Sequence, residues 1–523
     1  MARMRLPVAV ASSAVLLAGA FAGLARADVT LPAVFSDRAV LQRDRPLAVW
    51  GWAAASEEVT VSLGARTAKT TTAADGRWRV DLDAQPAGGP FELVVQGRNR
   101  VVAKDVLVGE VWLASGQSNM AWTVAGTKDA EAERKAADFP QLRVFTTAMA
   151  AAGDPAADVK GAWAATTPDT VAGFSAVAWF FARDLHRTLG VPVGVVVSSV
   201  GGTVAEAWTP PEAVEKEPTL APMWAKAQKA LAGWDRAAAE AKWRKAWRKW
   251  EAEAASDRRA GRTPPPEPTM PGDPRTNLLY PGSLWHGMVA PLVPLSLRGF
   301  LWYQGESNAP RAEQYVTLFP TLIRAWRAAW GRDDLPFYFV QLSSFGKVAD
   351  STEASTWAEL REAQALALGT VERTGMAVTI DVGDPADIHP KDKQTVGSRL
   401  ARLALAKDYA RADVVWSGPV LRSSRVEGNK VVLVFDHAEG LATRDGREPS
   451  GFAVASAKGE FHAARATIEG DTVVVWSRGV ATPAAVRYAW ADAPESANLV
   501  NGAGLPASPF RTDTRPRTTA GAH

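Results

Sequence analysis

Two stretches of this chain follow one plan, in which an amphipathic helix is stopped by glycine and followed by a short, wholly apolar strand. Phe174, Val177, Phe181, Leu185 and Leu189 recur at helical steps, Gly190 follows, and Val193 to Val197 is apolar throughout. Leu318, Leu322, Trp326 and Trp330 repeat the stripe, Gly331 ends it, and Phe337 to Val340 is the next strand. A strand without a polar face must be covered on both sides, and helices between such strands supply the cover. The pattern predicts an α/β core over residues 106–411, a three-layer arrangement with a parallel sheet in the middle.

The flanks read differently. Residues 28–105 carry short alternating runs such as Val59-Thr60-Val61-Ser62-Leu63 and Trp78-Arg79-Val80-Asp81-Leu82, separated by turns such as Asp75-Gly76. Alternation returns over residues 412–511, as in Lys430 to Phe435 and Thr472 to Trp476, before a polar tail at 512–523. Each flank is expected to be a small β-sandwich-like module. Inside the α/β region, residues 210–275 form an insertion rich in Ala, Lys, Arg and Glu that ends in Pro264-Pro265-Pro266-Glu267-Pro268. Trp243, Trp247 and Trp250 lie there at helical spacing, as expected of an amphipathic hairpin that docks by its tryptophans, or of a lid that stacks on a sugar.

The first 27 residues have the layout of a secretory signal: Arg3 and Arg5, an apolar run from Leu6 to about Leu24, then Ala25-Arg26-Ala27. Export to the periplasm or beyond, with cleavage before Asp28, is the expectation. No twin arginine precedes the run, and the chain has no cysteine, so a lipid anchor on an N-terminal Cys is excluded along with disulfides and thiolate chemistry. Setting aside the three arginines of that segment leaves 56 Lys+Arg against 56 Asp+Glu. A neutral body lacks the basic surplus that neutralises phosphates, so no nucleic-acid partner is expected. No later run is apolar enough to span a membrane.

Histidine is the usual base for a serine nucleophile, and there are six: His186, His286, His389, His437, His462 and His523. His186 falls in a helix stripe, His437 and His462 in the C-terminal module, and His523 in the tail. Of the two that remain, only His389 sits in an acid-rich loop, Asp384-Pro385-Ala386-Asp387-Ile388-His389, after a strand expected at Ala377 to Ile380. In open α/β sheets ligands bind where strands end, so the segments following the other strands matter too. They are Gly116-Gln117-Ser118-Asn119 after Val108 to Leu113, Gly201-Gly202 after Val193 to Val197, and Gln304-Gly305-Glu306-Ser307-Asn308 after Phe300 to Tyr303.

A hydroxyl, a histidine, an acid and a set of N–H donors at one rim are what acyl transfer requires. Ser118 is the candidate nucleophile and His389 the base that takes and returns its proton. Backbone N–H groups of Ser118 and of Gly201 or Gly202, with a side-chain amide from Gln304 or Asn308, are candidates for the oxyanion hole. The Gly-x-Ser-x-Gly elbow is not met, because Met120 occupies the second glycine position. No His-Glu-x-x-His or similar spacing suggests a metal, and no cofactor is expected.

The stretches GEVWLASGQSNMAW (Gly109 to Trp122), GGTVAEAW (Gly201 to Trp208), LWYQGESNA (Leu301 to Ala309) and DIHPKDKQTVGSRLA (Asp387 to Ala401) resemble the sialate O-acetylesterase family of SGNH-type hydrolases, relatives of the acetylxylan esterases. The resemblance extends to VFSDRAVLQRDRPLAVWG (Val34 to Gly51). It implies a flavodoxin-like SGNH core, a metal-free mechanism, Ser118 as nucleophile, His389 as base and an O-acetylated carbohydrate as substrate. Many SGNH enzymes carry the triad Asp three residues before the His, where this chain has Ala386, so Asp387 is the first choice, Glu306 the second and Asp384 the third. An acetylated sialic acid and an acetylated hemicellulose such as xylan both suit that machinery. A glycan-binding protein that has lost catalysis is the reading from another class. Trp112, Trp122, Trp208, Trp285 and Trp302 fall in or near these loops, and one or two of them are expected to face the sugar.

Overall fold

A computed structural model describes residues 28–270, 272–352 and 354–523. The segment read as a secretory signal lies outside the described residues. Seven strands form the core of the central sheet, in the order Thr374–Ala377, Phe337–Val340, Gly299–Tyr303, Arg100–Gly116, Val193–Ser199, Phe139–Thr147, Gly161–Thr166. The first six run parallel, and the last pairs antiparallel at the edge. The sheet is therefore mixed rather than wholly parallel. Gly161–Thr166 returns directly from its neighbour, without the crossover helix that a parallel strand needs.

Alternation along the buried strands assigns side chains to two helix layers. Leu113, Val196, Phe300 and Trp302 face the helices Ala312–Trp330 and Thr356–Thr370, in one core with Leu318, Leu322, Trp326 and Leu360. Trp112, Val195, Val197 and Tyr303 face the helices Ala176–Leu189 and Lys393–Asp408, in another core with Phe181, Leu185, Val396 and Leu400. Gly190 and Gly331 close their helices at φ +65° and +62°, as the sequence pattern requires. The last core strand is Thr374–Ala377, so the stretch 378–380 expected as strand is already its exit.

The division between the first β module and the core, expected near residue 105, falls inside one continuous strand. Arg100–Gly116 pairs antiparallel with Gly88–Gln96 in the module, then parallel with Val193–Ser199 and Gly299–Tyr303 in the core. Midway along it sits Glu110, fully buried, with Arg43 Nε 2.6 Å and Arg298 Nε 2.9 Å from its carboxylate oxygens and Gln42 Nε2 at 3.1 Å. These partners hold the Glu110 carboxyl below the usual range although burial pushes the other way. Removing one member of a buried ion cluster strands the others, so Glu110→Gln is expected to cost about 3–5 kcal/mol in urea unfolding. Because the folded value is depressed, this stabilisation is present at neutral pH and is lost as pH falls through the folded pKa, so the difference between wild type and variant should shrink in acid.

The C-terminal module is built on two four-stranded antiparallel sheets, Val420–Glu427 with Lys430–Asp436, Thr472–Trp476 and Arg465–Glu469, and His462–Ala463 with Phe452–Ala455, Ala485–Tyr488 and Phe510–Arg511, and also holds the short pair Ala442–Thr443 and Leu499–Val500. Val431, Leu433, Val454, Val473 and Tyr488 share the core between them. Arg361, fully buried in the helix Thr356–Thr370, donates to the carbonyls of Leu342, Ala491 and Asp492 and so ties this module to the α/β core. The polar tail docks on the same helix, with Thr518 and Thr519 on the Glu359 carboxylate and Arg517 on Glu362.

The insertion forms the helices Ala221–Ala232 and Arg236–Arg259. Trp243, Trp247 and Trp250 follow one another as tilted ring pairs, with centroids 5.3 and 5.1 Å apart and interplanar angles of 46° and 47°. Trp243 Nε1 donates to Pro268 O and Trp250 Nε1 to Pro265 O. The proline-rich return thus engages the tryptophan stripe that was expected either to dock on the body or to stack on a sugar.

Candidate active site

Strand Arg100–Gly116 is the first of the core in chain order and lies in the middle of the sheet. The chain adds strands on one side of it, then crosses to add Gly299–Tyr303 and its neighbours on the other. At such a reversal the loops leaving adjacent strands diverge to opposite faces and open a crevice. The residues after Gly116 enter it, flanked by the loops after Ser199 and Tyr303. Gly116 has φ +137°, and a Cβ on it would lie 2.1 Å from Tyr303 O, so no other residue brings the strand end so close to its neighbour.

The chain turns there into the short helix Ser118–Ala121. Ser175, the N-cap of helix Ala176–Leu189, donates its hydroxyl to Met120 O at 2.6 Å and braces the turn from below. Ser118 stands at its start, half-buried, and its Oγ lies 2.9 Å from His389 Nε2. Asp387 Oδ1 lies 3.4 Å from His389 Nδ1 and accepts a hydrogen bond from the His389 backbone N–H at 2.9 Å. A carboxylate at Nδ1 favours the tautomer with the proton there, leaving Nε2 to accept from the Ser118 hydroxyl. Residues 271 apart in sequence are thereby joined into a serine, histidine and acid series.

The other two candidate acids lie elsewhere. Asp384 is exposed and caps its own turn, accepting from Ala386 N at 2.9 Å. Glu306 is buried, and its Oε1 accepts from Asn119 Nδ2 at 2.6 Å rather than from His389. Burial raises its carboxyl above the ordinary range.

Gly201 abuts the serine, since a Cβ placed on it would lie 3.3 Å from Ser118 Cβ. Among the described residues none accepts a hydrogen bond from the backbone N–H of Ser118, Gly201 or Gly202. The two amides expected at the oxyanion hole are differently placed. Gln304 Nε2 is fully buried and donates to Thr203 O at 3.2 Å and to Asn308 Oδ1 at 2.7 Å, which uses both its hydrogens. Gln304 is therefore a clamp between loops and has no donor left for a substrate. Asn308 Oδ1 also accepts from Ala205 N, and its Nδ2 donates to Glu206 Oε2 at 3.0 Å, which leaves it one amide hydrogen at most. Together these bonds hold the Gly201-Gly202 loop against the loop after Tyr303.

Trp112, Trp208, Trp285 and Trp302 are buried in the cores. Trp122 alone of the five stands at the site, half-buried and stacked on the His389 ring at 4.8 Å and 18°. His286 is bonded through Nδ1 to Gly153 O, 3.1 Å away. Two residues that the sequence reading passed over take part. Asn119 gives its second amide hydrogen to Ile388 O at 3.0 Å, and Lys393 Nζ donates to Asn119 Oδ1. Lys393 lies inside the histidine motif, but a lysine among charged neighbours reads as surface, and only the fold shows it buried.

The profile of a family described as carbohydrate esterase, sialic acid-specific acetylesterase, matches residues 108–239 and 283–406. Sialate O-acetylesterase of Rattus norvegicus is 31% identical over 90% of this chain and 92% of its own. The human sialate O-acetylesterase is 30% identical over 75% of this chain and 74% of its own. The chain belongs to the sialate O-acetylesterase family. It is a carboxylic ester hydrolase. A carbohydrate acetylesterase from Xanthomonas citri superposes on it with a TM-score of 0.79 at 38% identity, covering 93% of this chain and 100% of the other. The esterase thus shares with that structure its flanking β modules as well as its core. All four motifs of the resemblance lie wholly or largely within the matched segments, and the insertion accounts for much of the gap between them.

Proposed function

We propose that this esterase removes O-acetyl groups from a carbohydrate through an acyl-enzyme formed on Ser118. The observation that carries the reading is the 2.9 Å contact between Ser118 Oγ and His389 Nε2, with Asp387 at Nδ1. Ser118 Oγ attacks the acetyl carbonyl carbon while His389 takes its proton. The negative oxygen of the tetrahedral intermediate accepts from the backbone N–H groups of Ser118 and the Gly201-Gly202 turn. Collapse expels the sugar alkoxide, protonated by His389, and water then attacks the acetyl-serine with His389 again as base, releasing acetate. Asp387 steadies the imidazolium that forms twice in this cycle.

The relatives' activity favours an O-acetylated sialic acid as substrate, and an acetylated hemicellulose is the alternative served by the same machinery. Specificity beyond the acetyl group would be set where the insertion meets the core, at a cavity of about 430 Å³ lined by Glu206, Met223, Tyr280 and Arg311. Glu206 binds Asn308 on one side and Arg311, 2.6 Å away, on the other, so this cavity shares a residue with the loop beside Ser118. The leader-like first residues support secretion or a periplasmic location. The test is acetate release by residues 28–523 from O-acetylated sialic acid and from acetylated xylo-oligosaccharide side by side. Release from the sialic acid at a kcat/KM at least tenfold higher is the expected result. The reverse preference would assign the esterase to hemicellulose, and release from neither by folded protein would overturn both substrate assignments in favour of another acetylated glycan or of glycan binding.

A further inference from the structure

We propose that Lys393 is a positioning residue for the esterase reaction, fixing the Ser118 turn to the His389 loop through Asn119. The inference rests on the catalytic reading above. Asn119 follows the nucleophile and is itself 1% exposed. Its Nδ2 gives one hydrogen to Glu306 Oε1 at 2.6 Å and the other to Ile388 O at 3.0 Å, and Ile388 is the residue before the histidine. Its Oδ1 accepts from Lys393 Nζ. One side chain therefore touches the loop after Tyr303, the histidine loop and the helix that follows it, and both its hydrogens and its oxygen are engaged.

Stability alone gives no reason for a lysine at this place. Lys393 is 0% exposed and is the first residue of helix Lys393–Asp408, where the helix dipole disfavours a cation. A buried ammonium also loses its hydration, and an apolar residue of similar length would cost less. What the lysine supplies is direction. A donor at Oδ1 forces the amide of Asn119 to point its hydrogens at Glu306 and Ile388 O, and a reversed amide would face a carboxylate and a carbonyl with its own oxygen. The groups facing the ammonium are Glu306 and Asp387, whose charges favour it, and the ring of Tyr303 at 5.4 Å. Burial outweighs them and lowers the lysine to about 7. As pH rises past that value the lysine discharges, its bond to Asn119 weakens, and Glu306 loses the cation that balances it.

Lys393→Met preserves the length of the side chain and removes the donor. The expected result is a kcat about 10- to 100-fold below wild type, as small displacements of reacting groups cause, with KM within about twofold. The alkaline decline of kcat expected of the wild type should flatten in the variant, which a merely structural role would not produce. Glu306→Gln combined with Lys393→Met should lose no more than about the worse single variant, because the groups act as one unit. A kcat for folded Lys393→Met within twofold of wild type, or strictly multiplicative losses in the double variant, would overturn the proposal. Should Lys393→Met fail to fold, the wild-type profile decides: kcat must fall severalfold alkaline of neutrality, and a flat limb counts against the lysine. Ser118→Ala, run alongside, separates the two levels of the argument. Activity retained without the hydroxyl sinks the catalytic reading and this inference with it, whereas activity lost there but kept in Lys393→Met sinks this inference alone.

Discussion

Ser118→Ala is expected to lower kcat by about 10⁴-fold or more, with folding intact. The hydroxyl proposed to attack is removed, and neither His389 nor Asp387 is placed to substitute for it. The fold should be indifferent, because the Ser118 turn is held by groups other than the serine side chain: Met120 O accepts from Ser175, and Asn119 binds Glu306 and Ile388. The measurement is acetate release at saturating substrate, together with the near-UV spectrum of the tryptophans and the melting temperature. A variant that melts like the wild type and turns over within tenfold of it would show that Ser118 is not the nucleophile.

The second large effect separates the acids. Asp387→Asn is expected to lower kcat by about 10²–10⁴-fold, because an amide at His389 Nδ1 no longer stabilises the imidazolium and can hold the wrong tautomer. The lower half of that range is favoured by the geometry, since the Asp387 oxygen is 3.4 Å from Nδ1 and its side chain is 38% exposed, so water screens the interaction. Glu306→Gln should cost only about tenfold. Its side chain reaches Asn119 rather than the imidazole, and the amide oxygen can still accept the hydrogen bond at 2.6 Å. The two variants compared at one pH, as kcat on the same substrate, decide the point. Equal, mild losses would mean that neither carboxylate orients His389.

The α/β layering, the turn that carries Ser118 and the loop whose histidine meets it were legible in the order of residues. Apolar runs between glycine-terminated helix stripes allow few arrangements other than strands covered on both faces. With no cysteine and only six histidines, the acid-rich loop at 384–389 stood out. Relations across the fold were not legible. The boundary near residue 105 dissolves into one strand, because a module edge is defined by which partners a strand pairs with, and both sets of partners come from distant residues. The tryptophan stripe of the insertion meets prolines that the sequence also shows, but nothing in their spacing says that the return folds back on the helix.

The site divides in the same way. Sequence by itself determined the chemistry available: a serine in a Gly-Gln-Ser-Asn turn, a histidine two residues after an aspartate, glycines and amides at strand ends, and membership of an esterase family. The tertiary structure decided which of those groups face one another. It set Asp387, and not Glu306, beside the imidazole, turned Gln304 into a clamp between loops, and placed Lys393 in the interior against Asn119, the residue after Ser118. The reason is that hydrogen bonds are short and directional, so a side chain's role depends on where its few donors and acceptors end within about 3 Å of another group. Composition and spacing carry that information only after the chain has closed loops of hundreds of residues around a common core.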